Sequence, residues 1–236
     1  MRCNNINDCL DKSDKAYCTK LHFDNTYQKY IVPHPLGEES RANVTVKMEL
    51  INLRKIDEVD GSFQMQLFLT LKWFDSRLQY INLKDNFDLN NFLPSENKLI
   101  WIPELVFENT EDKMRSKINE KTSIKVLKTG NFTPSYISEN ENIQIFRGDE
   151  NMLIMRQFYT LTFLSDFKMA WYPFDLQELK MHLTMDSGFA PFVMFNLEEV
   201  VYNGKELLTK YEVQDVEMFI TEWENKEAIT YEIILG

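Results

Sequence analysis

Apolar and polar side chains alternate at a period of two through much of this chain. Val44, Val46, Met48 and Leu50 alternate with Thr45, Lys47 and Glu49. From Phe63 to Trp73, Phe63, Met65, Leu67, Leu69, Leu71 and Trp73 fall on one side, with Gln64, Gln66, Thr70 and Lys72 on the other. Leu179, Met181, Leu183 and Met185 repeat the pattern against Lys180, His182 and Thr184. This period belongs to half-buried strands. Residues 152–163 read as a further strand and Ala228–Leu235 as the last. Tyr211 and Val213 change phase to Val216, Met218 and Ile220, the shift that a β-bulge produces. The pattern predicts an all-β sandwich of about ten short strands, separated by turns and without interleaved amphipathic helices. A short helix is expected ahead of it, with Asp24 as cap and Tyr27, Tyr30 and Ile31 on one face. The expected division is a small module over 1–20, a connector with that helix over 21–42, and the sandwich over 43–236.

Composition narrows the function classes. Hydrophobic residues make up 44% of 236 residues, enough for a large core and against long disorder. Lys and Arg number 26 against 37 Asp and Glu, a net charge of −11. A basic footprint for nucleic acid is therefore excluded. The acidity reads as a solvated surface that would also suit cationic ligands. The richest apolar stretch, Phe158 to Phe174, is broken by Ser165, Asp166 and Lys168, so no membrane span is predicted. No signal peptide is visible, because Arg2 and Cys3 follow Met1 directly. The chain is expected to be a piece of something longer. No HExxH, GxSxG, P-loop or dinucleotide fingerprint is present, which argues against an enzyme. His22, His34 and His182 are not spaced as metal ligands, and His182 reads as simply exposed on the polar side of its strand.

Cys3, Cys9 and Cys18 are the only cysteines, in the context CNNINDCLDKSDKAYC. This resembles the second half of a low-density-lipoprotein receptor class A module. The resemblance implies a disulfide-stapled remnant in which Cys3 pairs with Cys18 and Cys9 has lost its partner. Asp8 and Asp14 match the family's calcium ligands, and Asn4 stands where Asp is usual. Lys15 replaces a ligating Glu and puts a positive charge where Ca2+ would sit, so a metal-free remnant is expected and no cofactor. Two sequons, at Asn43 and Asn131, agree with an extracellular location and predict glycans on exposed surface.

Three further segments in order resemble the pentameric ligand-gated ion channels of the Cys-loop superfamily. They are WFDSRLQY (Trp73 to Tyr80), WIPELVFEN (Trp101 to Asn109) and MAWYPFDLQ (Met169 to Gln177). Upstream, YQKYIVP (Tyr27 to Pro33) resembles the end of that family's N-terminal helix. The likeness implies a ten-stranded immunoglobulin-like β-sandwich that binds a small agonist between subunits of a homo- or hetero-pentamer. It also implies coupling to a membrane pore lying beyond Gly236. The family's loop cysteines would fall at Ser165 and Leu179, so this loop must be held by packing alone. A disulfide there is worth about 3 kcal/mol. Burial of Trp171, Tyr172 and Phe174, at about 1.5–3 kcal/mol each, is of the size to replace it.

In such channels the agonist sits in an aromatic box, where cation–π attraction holds an ammonium. The candidate on the complementary side is Phe68, the one large apolar side chain on the polar face of its strand. The competing reading is an aromatic packed on a neighbouring strand. Thr70 occupies the position of the carboxylate-gripping arginine of amino-acid receptors; Arg156 is the candidate replacement, or else an ordinary salt-bridge partner. Trp223, in the hairpin TEWENKEA, is a lid aromatic or a packing residue. Val106 and Glu108 stand where one principal-face loop usually has aromatics, and Asp186 and Phe189 mark another, so a full choline-type cage is missing. Glu108 and Asp186 could instead pair directly with an amine. Asp57, Glu58 and Val59, with Tyr172, Pro173, Phe174 and Asp175, match the surfaces that couple binding to the pore. The alternatives are a secreted pentameric binding protein without a pore and, less favoured, an adhesion or lipoprotein-binding protein led by the cysteine module.

Overall fold

The computed structural model describes residues 20–34, 37, 39–116, 122–135, 143–168, 176–208 and 210–236. Strands dominate these residues, in three sheets. The largest has five strands in the order β11 (Val193–Tyr202), β2 (Ala42–Asp57), β3 (Ser62–Trp73), β9 (Met152–Leu164) and β6 (Ser123–Leu127). A second runs β12 (Val213–Trp223), β13 (Lys226–Leu235), β10 (Gln177–Met185) and β5 (Leu105–Phe107). The third runs β1 (Leu21–Phe23), β4 (Leu78–Ile81), β8 (Ile143–Arg147) and β7 (Phe132–Ser135). All neighbours are antiparallel except β11 and β2.

The predicted apolar faces are the buried faces. Val44 to Leu50, Phe63 to Trp73 and Leu179 to Met185 each bury their alternate apolar members into one hydrophobic cluster. The five-stranded and second sheets meet there. Phe107 of β5 stands edge-on to Tyr159 and Phe163 of β9, with ring centres 5.2 and 6.1 Å apart. The phase change near the C-terminal end is a bulge, the β12–β13 register shifting between Val213 and Asp215.

Two expectations need correction. Thirteen strands are described rather than about ten, because short segments such as β1, β5 and β7 carry too few residues for a period to show. Within the connector, Leu21–Phe23 pairs with β4. The helix over 24–31 is absent: Asp24 forms turns, accepting from Thr26 N at 3.3 Å and, through its carbonyl, from Tyr27 N at 2.9 Å.

Tertiary partners replace that helix's ladder. The Arg77 guanidinium donates to the carbonyl oxygens of Gln28 (3.4 Å) and Ile31 (2.8 Å) and lies over the Tyr27 ring. The Tyr27 hydroxyl accepts from Trp101 N at 2.8 Å and donates to Asp75 at 3.1 Å. Asp75 is fully buried and held by both arms of Arg77, at 2.8 and 2.7 Å. Thus the WFDSRLQY, WIPELVFEN and YQKYIVP segments converge on one structural knot, completed by the edge-on Trp73–Trp101 pair.

Candidate functional site

Two aromatic clusters stand on the outer faces of the two packed sheets. On the five-stranded sheet, Phe68 of β3 pairs across to Glu49 of β2 and to Phe158 of β9. The Phe68 and Phe158 ring centres are 5.1 Å apart, and Phe158 is 44% exposed. The Arg156 guanidinium lies 4.1 Å from the Phe68 ring centre and forms a salt bridge with Glu49. Sequence reasoning brought Phe68 and Arg156 forward separately; the structure places them in contact. It missed Phe158, which shares its outer face with Met152, Ile154 and Leu164 and so makes no break in polarity there. Arg156 is also occupied by Glu49, so a ligand carboxylate would have to displace that partner.

The second cluster sits on the outer face of the β12-β13-β10-β5 sheet. The β12–β13 hairpin turns at Glu224 and Asn225, with φ of 48° and 62°, the conformation of a two-residue hairpin loop. Trp223, just before the turn, stacks on His182 of β10, ring centres 4.3 Å apart and planes within 28°. His182 Nδ1 is 2.9 Å from Thr230 Oγ1, which is itself 2.7 Å from Thr221 Oγ1. The expectation that His182 is simply exposed is therefore wrong. Burial beneath the indole pushes its pKa below the ordinary value, Lys180 adds to this, and Glu108 opposes it. A cavity of about 510 Å3 opens beside Trp223 and His182, bounded by Asn109 and Lys180.

Glu108 and Asp186 do not offer free carboxylates to an amine. Glu108 is buried, accepts from Thr184 Oγ1 at 2.6 Å and lies 3.3 Å from Lys113 Nζ. Lys113 also reaches Glu224 of the hairpin turn, at 3.7 Å. Asp186 is ion-paired with Arg115 and accepts from Gly188 N. Both carboxylates already hold a cation, so an amine would have to displace Lys113 or Arg115. Phe189 packs edge-on against Trp101, ring centres 6.1 Å apart, and contributes no ring contact to the His182–Trp223 stack.

The β2–β3 hairpin carries Asp57, Glu58 and Val59. Val59 is 94% exposed, and Asp57 pairs with Lys55 at 2.8 Å. Glu58 accepts from the Tyr211 hydroxyl at 2.9 Å and faces Lys210 at 3.2 Å. The Tyr211 bond and then Lys210 hold its carboxyl below the usual range. Tyr172, Pro173, Phe174 and Asp175 lie outside the described residues, as do Cys3, Cys9, Cys18, Asp8 and Asp14. Of the sequon residues, Asn131 is exposed; Asn43 is only half-exposed, within β2, with its Oδ1 buried.

Two sheets around one core, with an aromatic–arginine cluster on one outer face and a hairpin aromatic on the other, define a β-sandwich receptor module. The chain belongs to the neurotransmitter-gated ion-channel ligand binding domain family, which matches residues 16–228. It is 24% identical to the proton-gated ion channel subunit pbo-6 of Caenorhabditis elegans, over 83% of this chain and 41% of that protein. It is also 24% identical to a proton-gated ion channel of Gloeobacter violaceus, over 77% of this chain and 44% of that protein. With the human acetylcholine receptor subunit epsilon it shares 31% identity over 31% of this chain and 15% of the subunit. The chain thus spans less than half the length of the curated relatives it matches. No helix among the described residues is long and apolar enough to cross a membrane.

Proposed function

We propose that this domain is the extracellular, agonist-binding part of a channel subunit that assembles as a ring of five. A small agonist would bind between neighbours and act on a transmembrane pore outside this chain. The observation that carries the reading is that the Phe68–Phe158–Arg156 cluster and the Trp223 hairpin face outward from opposite sheets of one core. Within one copy they cannot meet. A head-to-tail cyclic contact would bring the Phe68 face of one copy against the hairpin of the next. Arg156, released from Glu49, would hold an acidic group of the agonist, and the Phe68 and Phe158 faces a flat or cationic one. Asp57, Glu58 and Val59, with Tyr172, Pro173, Phe174 and Asp175, would form the surface that transmits binding to the pore.

A second reading concerns the agonist itself. His182 is a titratable group placed under the capping hairpin, and two of the relatives are named as proton-gated. On this reading protons open the channel, acting through the His182–Trp223 stack. The first 20 residues complete the proposal as a class A module remnant closed by a Cys3–Cys18 bridge, with glycans on Asn43 and Asn131. The test is voltage clamp of oocytes expressing the full-length protein, under an agonist panel and steps of external pH. A reversible current is expected. A protein that reaches the surface and stays silent to every condition, or is secreted whole, would instead be a binding protein without a pore.

A further inference from the structure

We infer that the cavity between the β2–β3 hairpin and the segments 203–208 and 210–211 is a binding site for a phosphate-bearing ligand. The cavity measures about 560 Å3, and neither aromatic cluster contributes a residue to its lining. Among the described residues, its charged lining is Arg54, Lys55, Lys205 and Lys210 with a single carboxylate, Glu58. That is four cations against one acid, in a chain whose net charge is −11.

Local pairing accounts for only half of these charges. Lys55 meets Asp57 at 2.8 Å, and Lys210 meets Glu58 at 3.2 Å. Glu58 is held in its charged form by the Tyr211 hydroxyl and by Lys210, so it balances one cation and no more. Arg54 and Lys205 make no salt bridge among the described residues, and both are exposed. They approach the cavity from different segments, one on β2 and one after β11. A guanidinium and an ammonium lining one cavity suit a phosphate group, which can present oxygens to both.

The cavity's apolar residues extend the match. Leu207 is 75% exposed at the rim, and Leu208 and Ile56 are half-buried beneath. An exposed leucine gains by covering, so the preferred ligand carries an apolar group next to its phosphate. A lipid headgroup and a soluble organic phosphate share this chemistry.

The experiment compares the 236-residue chain with Arg54→Gln/Lys205→Gln and with a charge-matched control, Lys84→Gln/Lys98→Gln, whose exposed lysines lie outside the cavity. Two probes are used. Inorganic pyrophosphate is titrated by calorimetry, and phosphatidylcholine vesicles with and without phosphatidic acid are co-sedimented with the protein. Saturable binding of either probe is expected, weakened roughly ten-fold or more in the cavity variant and unchanged in the control. Pyrophosphate binding alone assigns a soluble ligand, and selective binding to phosphatidic acid assigns a lipid headgroup. Thermal melting should be the same for all three proteins, since none of the four side chains is buried. Absence of saturable binding to both probes, or equal weakening in both variants, overturns the inference.

Discussion

The His182 imidazole lies flat against the Trp223 indole, ring centres 4.3 Å apart, and so ties the β12–β13 hairpin to β10. Burial is the main reason that the fold favours the neutral ring. Because the folded pKa is below the unfolded value, this contribution is present above the ordinary pKa of 6.5 and is lost as pH falls through the lowered one. Acidification from about pH 7.5 to about pH 5 should therefore loosen the hairpin and change Trp223 emission, isolated by difference from Trp223→Phe. His182→Phe should remove this component of the pH response. An unchanged acid response in His182→Phe would show that another group controls the hairpin.

A second prediction concerns the knot around Asp75. A Cβ on Gly148 would stand 2.0 Å from the Asp75 carbonyl oxygen and 2.7 Å from that of Leu78, both of them backbone atoms. Gly148→Ala should cost about 3 kcal/mol or more. Arg77→Gln leaves the buried Asp75 carboxylate without its guanidinium and should cost about 3–5 kcal/mol. Urea denaturation measures both. Losses under 1 kcal/mol would mean that the knot relaxes at little cost.

Neighbouring residues on β3 separate binding from folding. Phe68→Ala should weaken agonist potency roughly ten-fold or more, with near-normal surface expression. Leu69 is fully buried, so Leu69→Ala should lower stability by about 2–5 kcal/mol and reduce expression without a selective potency loss. Concentration–response curves normalised to surface protein distinguish the two.

The legible part of this fold was the long strands. Over Phe63 to Trp73, alternation specifies which side chains are buried, and they are. The segment 24–31 misled because its helix-like spacing competes with partners far along the chain, Asp75, Arg77 and Trp101. At the site, Phe68 was visible as a break in polarity. Its neighbour Phe158 shares its face with Ile154 and Leu164 and carried no such mark, and its pairing with Phe68 depends on the β3–β9 register. Glu108 and Asp186 looked available because Lys113 reaches Glu108 across a turn and Arg115 reaches Asp186 from a distant segment, neither of which periodicity encodes. The His182–Trp223 stack joins strands far apart in sequence and left no local signal.

The N-terminal cysteines give a covalent prediction. Peptide mapping without reduction should find Cys3 bridged to Cys18, with Cys9 unbridged within the monomer. A bridge from Cys9 to either of the others would refute the class A pairing.

Whether the two aromatic clusters form one site between subunits is tested most directly by mixing subunits. Phe68→Ala and Trp223→Ala would each be expressed alone and then together in oocytes, with full agonist concentration–response curves under voltage clamp. Each variant alone should lose potency. In mixed rings, some interfaces pair an intact Phe68 face with an intact Trp223 hairpin, so a component of current at wild-type potency should reappear. If mixing restores nothing although both variants reach the surface and each alone is impaired, the two residues do not meet across an interface.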